Sequence, residues 1–189
     1  MKEKHIKRCI NENGPELTYS ELSGVKLLES EGLFFKDLAK DGVLHPFEDW
    51  RLSSGERAKD LAGRLSIKEI VGLMLYSKHQ FVPGNSDSYF GEATYNGKPF
   101  AESGCSAGAL TDQQIKVLTE DCVRNILLAS VSSTADAVEW SNNIQELAEK
   151  QPMGIPVNLC SDPRHGIDSS TEFNVGAGSG TSQWPENLG

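Results

Sequence analysis

Apolar residues recur along this chain with two different periods, and the switches between them mark its elements. Ala58, Leu61, Ala62 and Leu65 fall at helical spacing behind Ser53 and Glu56, which together can form a capping box. Ile67, Ile70, Val71, Met74 and Leu75 repeat the pattern behind Ser66 and Glu69. Two helices packing their stripes on a core are expected. Thr111 and Gln114 cap a third helix through Glu120, and Ala137, Trp140, Ser141, Ile144, Leu147 and Ala148 space a longer one across 134–150. Between these, the continuous run Ile126-Leu127-Leu128-Ala129 predicts a strand over 123–130, buried on both faces. After the long helix, Ile155, Val157 and Leu159 alternate with smaller or polar neighbours, which predicts a strand over 155–161. Pro156 sits near its start, where a missing N–H is tolerated. Strand, helix and strand make one right-handed β-α-β crossover.

The pattern is weaker elsewhere. Residues 1–32 are mixed and polar, with a turn at Asn13-Gly14-Pro15, and the stretch 1–52 reads as a mostly irregular and helical extension. From Lys78 to Leu110, Gly, Ser and Asn are frequent, yet Phe81, Tyr89, Phe90, Tyr95 and Phe100 are interspersed. The aromatics favour an ordered covering loop with a hairpin around Asn96-Gly97.

Composition narrows the partners. Among 189 residues, 18 basic side chains face 27 acidic ones, a net charge of −9. That balance argues against nucleic acid and anionic membranes, which select for basic patches. No apolar run approaches a membrane span, and Met1-Lys2-Glu3-Lys4-His5 leads into no signal-peptide core. Cys9, Cys105, Cys122 and Cys160 lack CxxC spacing, so reduced thiols in a cytoplasmic protein are expected.

The candidate chemistry clusters in two places. Asp162, Arg164, His165 and Gly166 follow the last predicted strand, and α/β folds bind ligands beyond the carboxyl ends of their strands. Asp162 there can orient a polar ligand, act as a catalytic carboxylate, or pair with Arg164 or His165 for structure alone. Further on, Gly176-Ala177-Gly178-Ser179-Gly180 lacks a lysine at P-loop spacing and reads as a flexible loop. In the second place, Asp37, Asp41, Gly42, Leu44 and Glu48 occupy positions 1, 5, 6, 8 and 12 of an EF-hand-type loop, with the Val43 carbonyl between them. Ala39 and His45 stand at positions 3 and 9, where calcium loops supply oxygen. Two readings stay open: a degenerate Ca2+ site using Asp37, Asp41, Val43 and Glu48, or a metal-free turn of the same shape.

Several stretches together resemble glycoside hydrolase family 3. They are Gly154-Ile155-Pro156-Val157-Asn158-Leu159-Cys160-Ser161-Asp162-Pro163-Arg164-His165-Gly166, then Glu172-Phe173-Asn174-Val175-Gly176-Ala177-Gly178, and Gln183-Trp184-Pro185-Glu186-Asn187-Leu188-Gly189. Phe35-Lys36-Asp37-Leu38 through Glu48-Asp49-Trp50-Arg51, and Gly97 to Gly104, are similar to the same branch. The best-known members are β-glucosidases and exo-acting β-glucan hydrolases. The resemblance implies a (β/α)8 barrel and a retaining mechanism, in which one carboxylate attacks the anomeric carbon and a second acts as acid and then base. It implies that Asp162 binds sugar hydroxyls of a β-glucoside or β-glucan oligosaccharide, with Arg164 and His165 lining the pocket, and that no cofactor is required.

The family's nucleophilic aspartate lies in a Ser-Asp-Trp-type segment, and its acid/base glutamate usually comes from a second domain. This sequence has neither. A barrel needs roughly 200 residues or more. The fold class is therefore expected to be α/β, with 53–189 the amino-terminal part of a (β/α)8 barrel, incomplete here, whose partner is the missing carboxy-terminal part of the enzyme. Two alternatives are a non-catalytic carbohydrate-binding relic that keeps Asp162, and a phosphate or nucleotide binder using the glycine-rich loop.

Overall fold

A computed structural model describes residues 5–84 and 93–161. The chain divides into two compact units, one of Met1–Val71 with Gln145–Pro156, the other of Gly72–Ile144 with Val157–Gly189.

The first unit opens with two antiparallel hairpins, β1 (Ile6–Ile10) with β2 (Glu16–Ser20) and β3 (Lys26–Ser30) with β4 (Leu33–Asp37). This corrects the expectation that 1–52 is mostly irregular and helical. The side chains of β1 are almost all exposed, so no alternation of apolar and polar residues betrays the strand. The β3–β4 turn is Glu31-Gly32, with both residues at positive φ (56° and 76°). That is the primed geometry that matches strand twist, but a glutamate in its first place is not a hairpin signal.

Side chains tie these hairpins together. Asn11 donates through Nδ2 to the carbonyls of Pro15 and Phe34 (both 3.1 Å) and accepts from the Phe34 amide (2.7 Å), standing in for a strand neighbour. Phe35 is fully buried and stacks on Trp50 at 5.3 Å, while Trp50 Nε1 donates to the Phe34 carbonyl (2.9 Å). Glu149 is buried and accepts from the Ser20 amide (2.9 Å) and Lys36 Nζ (2.7 Å). A buried carboxylate is tolerable only with such partners.

Helices α1 (Ser54–Arg64) and α2 (Ile67–Leu73) form where expected, and both capping boxes close. Their stripes do not behave as expected. No residue of α1 is buried, and of α2 only Gly72 is. Periodicity reports that a face is apolar, but not that something in the same chain covers it.

The second unit is built on a parallel sheet of order β5 (Gln80–Val82), β6 (Asn125–Val131), β7 (Asn158–Ser161). Helix α5 (Thr134–Lys150) links β6 to β7, as the β-α-β reading requires. β7 starts three residues later than expected, since its pairing with β6 begins only at Asn158. β5 lies within the stretch expected to be a covering loop, since three residues are too few to show a period. Helices α3 (Phe100–Ser103) and α4 (Asp112–Thr119) follow it in the chain. Val82, Tyr95, Leu118, Ile126, Trp140 and Ile144 form the core, and Trp140 Nε1 donates to Gln114 Oε1 (3.1 Å). Among the described residues the sheets have two, two and three strands, and none closes into a barrel. No helix among them is long and apolar enough to cross a membrane.

Candidate functional site

The carboxyl edge of the parallel sheet is where ligand chemistry is expected. β5 ends there at Val82, β6 at Val131 and β7 at Ser161. Asp162 follows Ser161 in sequence. Asp162, Arg164, His165, Gly166 and the glycine run 176–180 lie outside the described residues. What is described is the carboxyl edge of the sheet itself.

That edge is held by polar side chains at the exits of β5 and β6. Beyond β5, the Gly84 amide donates to the Tyr95 hydroxyl (2.6 Å). A Cβ on Gly84 would lie 2.5 Å from Thr111 Cγ2 and 2.9 Å from Ala93 Cβ, so only glycine fits. Burial pushes the Tyr95 hydroxyl pKa up, against the pull of that amide. The predicted hairpin forms at Asn96-Gly97, where both residues have positive φ (53° and 76°) and Tyr95 and Lys98 exchange backbone bonds (2.8 and 3.1 Å). Asp112, in the first turn of α4, gathers the hairpin: it accepts from the amides of Asn96 (3.0 Å) and Gly97 (2.8 Å) and from the Thr94 hydroxyl (2.7 Å). The Gly97 amide, then the Thr94 hydroxyl, hold its carboxyl below the usual range. Beyond β6, the Ser132 amide donates to the Val82 carbonyl (2.8 Å), joining two strand exits. The Ser133 and Ser132 hydroxyls donate to Asp136 (2.6 and 2.7 Å) and lower its pKa.

Asp112 is thus engaged by the hairpin and Asp136 by the serines before α5. They position the edge and are not free carboxylates. Sequence reasoning overlooked both, although the serines before Asp136 carried a capping signal. Tyr95 was noticed only as one of several loop aromatics.

The loop 37–48 belongs to the first unit. It is a turn, with Gly42 at φ 78° as its position demands. Asp37 is buried, and its two oxygens accept from the amides of Asp41 (3.1 Å) and Gly42 (3.0 Å). Glu48 is buried too and accepts from the amides of Ala39 (2.8 Å) and His45 (2.9 Å). Asp41 Oδ2 pairs with His45 Nε2 (2.8 Å) and Oδ1 with the Val43 amide (3.0 Å), which together lower the Asp41 pKa. The loop's carboxylates therefore bind the loop's own N–H groups. Among the described residues no group of three or more His, Cys, Asp or Glu is placed to hold a metal ion.

No family model matches the chain. It is similar to the periplasmic β-glucosidase/β-xylosidase of Dickeya chrysanthemi, 36% identical over 169 residues, which are 88% of this chain and 23% of that protein. The probable β-glucosidase C of Aspergillus oryzae is 33% identical over 147 residues, 76% of this chain and 20% of that protein. β-Glucosidase C of Emericella nidulans is 30% identical over 137 residues, 71% and 18% of the two chains. The chain thus spans about a fifth of the length of the curated relatives it matches. With its motifs and these identities pointing the same way, the chain is homologous to the amino-terminal part of proteins named as β-glucosidases.

Proposed function

We propose that this chain is the amino-terminal part of a retaining glycoside hydrolase that releases glucose from β-glucosides, supplying sugar-binding rather than catalytic groups. The observation that carries the reading is the 36% identity over 88% of the chain to a protein named β-glucosidase/β-xylosidase. The parallel order β5-β6-β7 supports it, because β7 ends immediately before Asp162 and so leads a carboxylate to the strand end where such folds bind ligands. In this reading Asp162 accepts hydrogen bonds from sugar hydroxyls, and Arg164 and His165 line the same pocket. Residues 53–189 are the first part of a (β/α)8 barrel, with 1–52 as an extension.

Retaining hydrolysis requires two carboxylates about 5–5.5 Å apart across the scissile bond. Asp112 is committed to the hairpin and Asp136 to the serines before α5. The nucleophile and the acid/base therefore come from polypeptide that the relatives possess beyond the matched stretch, and the 189-residue chain alone is inactive. No cofactor is needed. In the loop 37–48, Asp37 and Glu48 tie the turn together in the role calcium has elsewhere. The four cysteines are free, which suits the reducing cytoplasm. Fractionation of the source cells tests that placement, since the Dickeya relative is named periplasmic.

The deciding assay uses an aryl β-glucoside. This chain is compared with the same chain joined to the portion of the Dickeya relative that follows its matched stretch. Turnover is expected from the joined protein only. Hydrolysis by the pure short chain would defeat the assignment of roles. Binding of a glucose-type inhibitor by both proteins, with turnover by neither, would favour a carbohydrate-binding relic instead.

A further inference from the structure

Two Asn-Gly pairs sit at hairpin turns and differ in how the glycine amide is held. Asn13 precedes Gly14 between β1 and β2, and Asn96 precedes Gly97 in the turn 95–98. Both asparagines are exposed and stand at positive φ (61° and 53°). Among the described residues no hydrogen bond engages either side-chain amide. Gly97 N–H donates to Asp112 Oδ2 at 2.8 Å, and Asn96 N–H donates to Oδ1 at 3.0 Å. Gly14 N–H reaches only the Asn11 carbonyl, at 3.3 Å, beyond the usual range of about 2.7–3.2 Å. One glycine nitrogen is gripped by a carboxylate, and the other is loosely held.

We propose that Asn13 is a self-modification site, where the chain converts its own asparagine to aspartate and isoaspartate, and that the second product loosens the first unit. Hydroxide removes the Gly14 amide proton, and the nitrogen attacks Asn13 Cγ. A C–N bond forms and the Cγ–Nδ2 bond breaks. Nδ2 takes a proton from water and leaves as ammonia, and a succinimide ring remains. Water then opens the ring at Cγ, giving aspartate, or at the main-chain carbonyl, giving isoaspartate, whose main chain is longer by one carbon. Because glycine has no side chain, the approach to its nitrogen is open. At Gly97 the same step is opposed twice: the N–H must first leave Asp112, and the adjacent negative charge disfavours loss of its proton. Gly14 is also where a longer main chain does harm. A Cβ there would lie 2.6 Å from Trp50 Cη2 and 2.9 Å from Asn11 Cβ, so the turn is seated against both. Asn11 links Pro15 to Phe34 across the two hairpins, and Trp50 donates to the Phe34 carbonyl. An inserted carbon moves Gly14 against these neighbours.

The test incubates the folded chain at mildly alkaline pH and follows conversion at each asparagine by peptide mass spectrometry. Asn13 is expected to convert at least about tenfold faster than Asn96, the factor by which a hydrogen bond to a charged group withholds the Gly97 nitrogen. In urea, with both turns unfolded, the two rates should converge. Asp112→Asn should bring Asn96 up towards the Asn13 rate, and if that variant does not fold, the wild-type comparison still decides. Conversion of Asn96 as fast as Asn13 in the folded chain would overturn the proposal. So would an Asn13 that stays intact while the unfolded chain converts, or a gap that persists unchanged in urea, which would assign it to flanking sequence. The urea midpoint reads the second half of the proposal. It should fall as isoaspartate accumulates at position 13, whereas Asn13→Gln, whose longer side chain closes the ring poorly, should hold its midpoint over the same incubation. A wild-type midpoint that stays constant during conversion would overturn the claimed loosening.

Discussion

Glycine positions in this chain differ in what they tolerate, and the difference is measurable. At Gly72 a methyl group would press on main-chain atoms of Asp121 and Cys122 at 2.6 Å, and a backbone cannot rotate aside as a long side chain can. Gly72→Ala should destabilise by about 1–3 kcal/mol, the usual range for overpacking. Gly63, near the end of α1, has nothing within 4 Å of its would-be Cβ. Gly63→Ala should therefore stabilise by up to about 1 kcal/mol, because alanine loses less backbone freedom in a helix. Urea midpoints at unchanged slope report both effects. A harmless Gly72→Ala would mean that the 121–122 turn yields. Glu48 poses a similar question with polar groups. Glu48→Ala leaves the Ala39 and His45 amides without their acceptor and should cost about 1–3 kcal/mol. If the turn is self-capped, as proposed, neither calcium nor a chelator shifts the Tm of the wild-type chain, whereas a ligand bound to the folded state would raise it. A rise with calcium would favour the metal-site reading.

At the scale of elements, the hairpin 95–98 hangs on one carboxylate. Folded Asp112 titrates below its unfolded value because three donors favour its charged form. Its contribution is therefore complete above the unfolded value, near pH 3.9, and is lost as the pH falls through the lower folded one. Hydrogen exchange at the Asn96 and Gly97 amides should quicken over that acid window, and Asp112→Asn should quicken it at neutral pH. Identical protection in wild type and variant would show that Asn96-Gly97 geometry suffices alone. That hairpin was legible in advance because Asn and Gly accept positive φ, and α5 because one unbroken period and flanking turn residues bound it at Thr134 and Lys150. The hairpins β1–β2 and β3–β4 were not legible. Strand β1 is almost wholly exposed, and the turn at Glu31-Gly32 places a glutamate where turn residues are expected. β5 was hidden by its length of three residues. Packing failed to follow pattern in α1 and α2, where the apolar stripe is real and its cover is absent among the described residues, and in β6, expected to be buried on both faces, where only Ile126 and Ala129 are buried.

For the molecule as a whole, the site divides into a frame and a tip. The frame, from Gly84 and Tyr95 to Asp112 and Asp136, depends on cross-chain hydrogen bonds that no linear pattern shows. Asp162 is the reverse case, proposed from a motif and lying outside the described residues. Its proposed role makes a quantitative claim. A carboxylate accepting hydrogen bonds from sugar hydroxyls contributes about 1.5–3 kcal/mol for each. Two such bonds correspond to roughly a 10²–10⁴-fold loss in kcat/KM when they are removed. In the protein joined to the remainder of its relative, Asp162→Ala should show that loss on an aryl β-glucoside. Asp162→Asn should recover part of it, since an amide still offers one accepting oxygen. A nucleophile behaves differently: its amide variant is as dead as its alanine variant, and a fluorinated glycoside traps a covalent ester on it. Mass spectrometry of the trapped wild type should place the sugar on a peptide beyond residue 189. An ester found on Asp162 would make it the attacking group and would bring the nucleophile back into this chain.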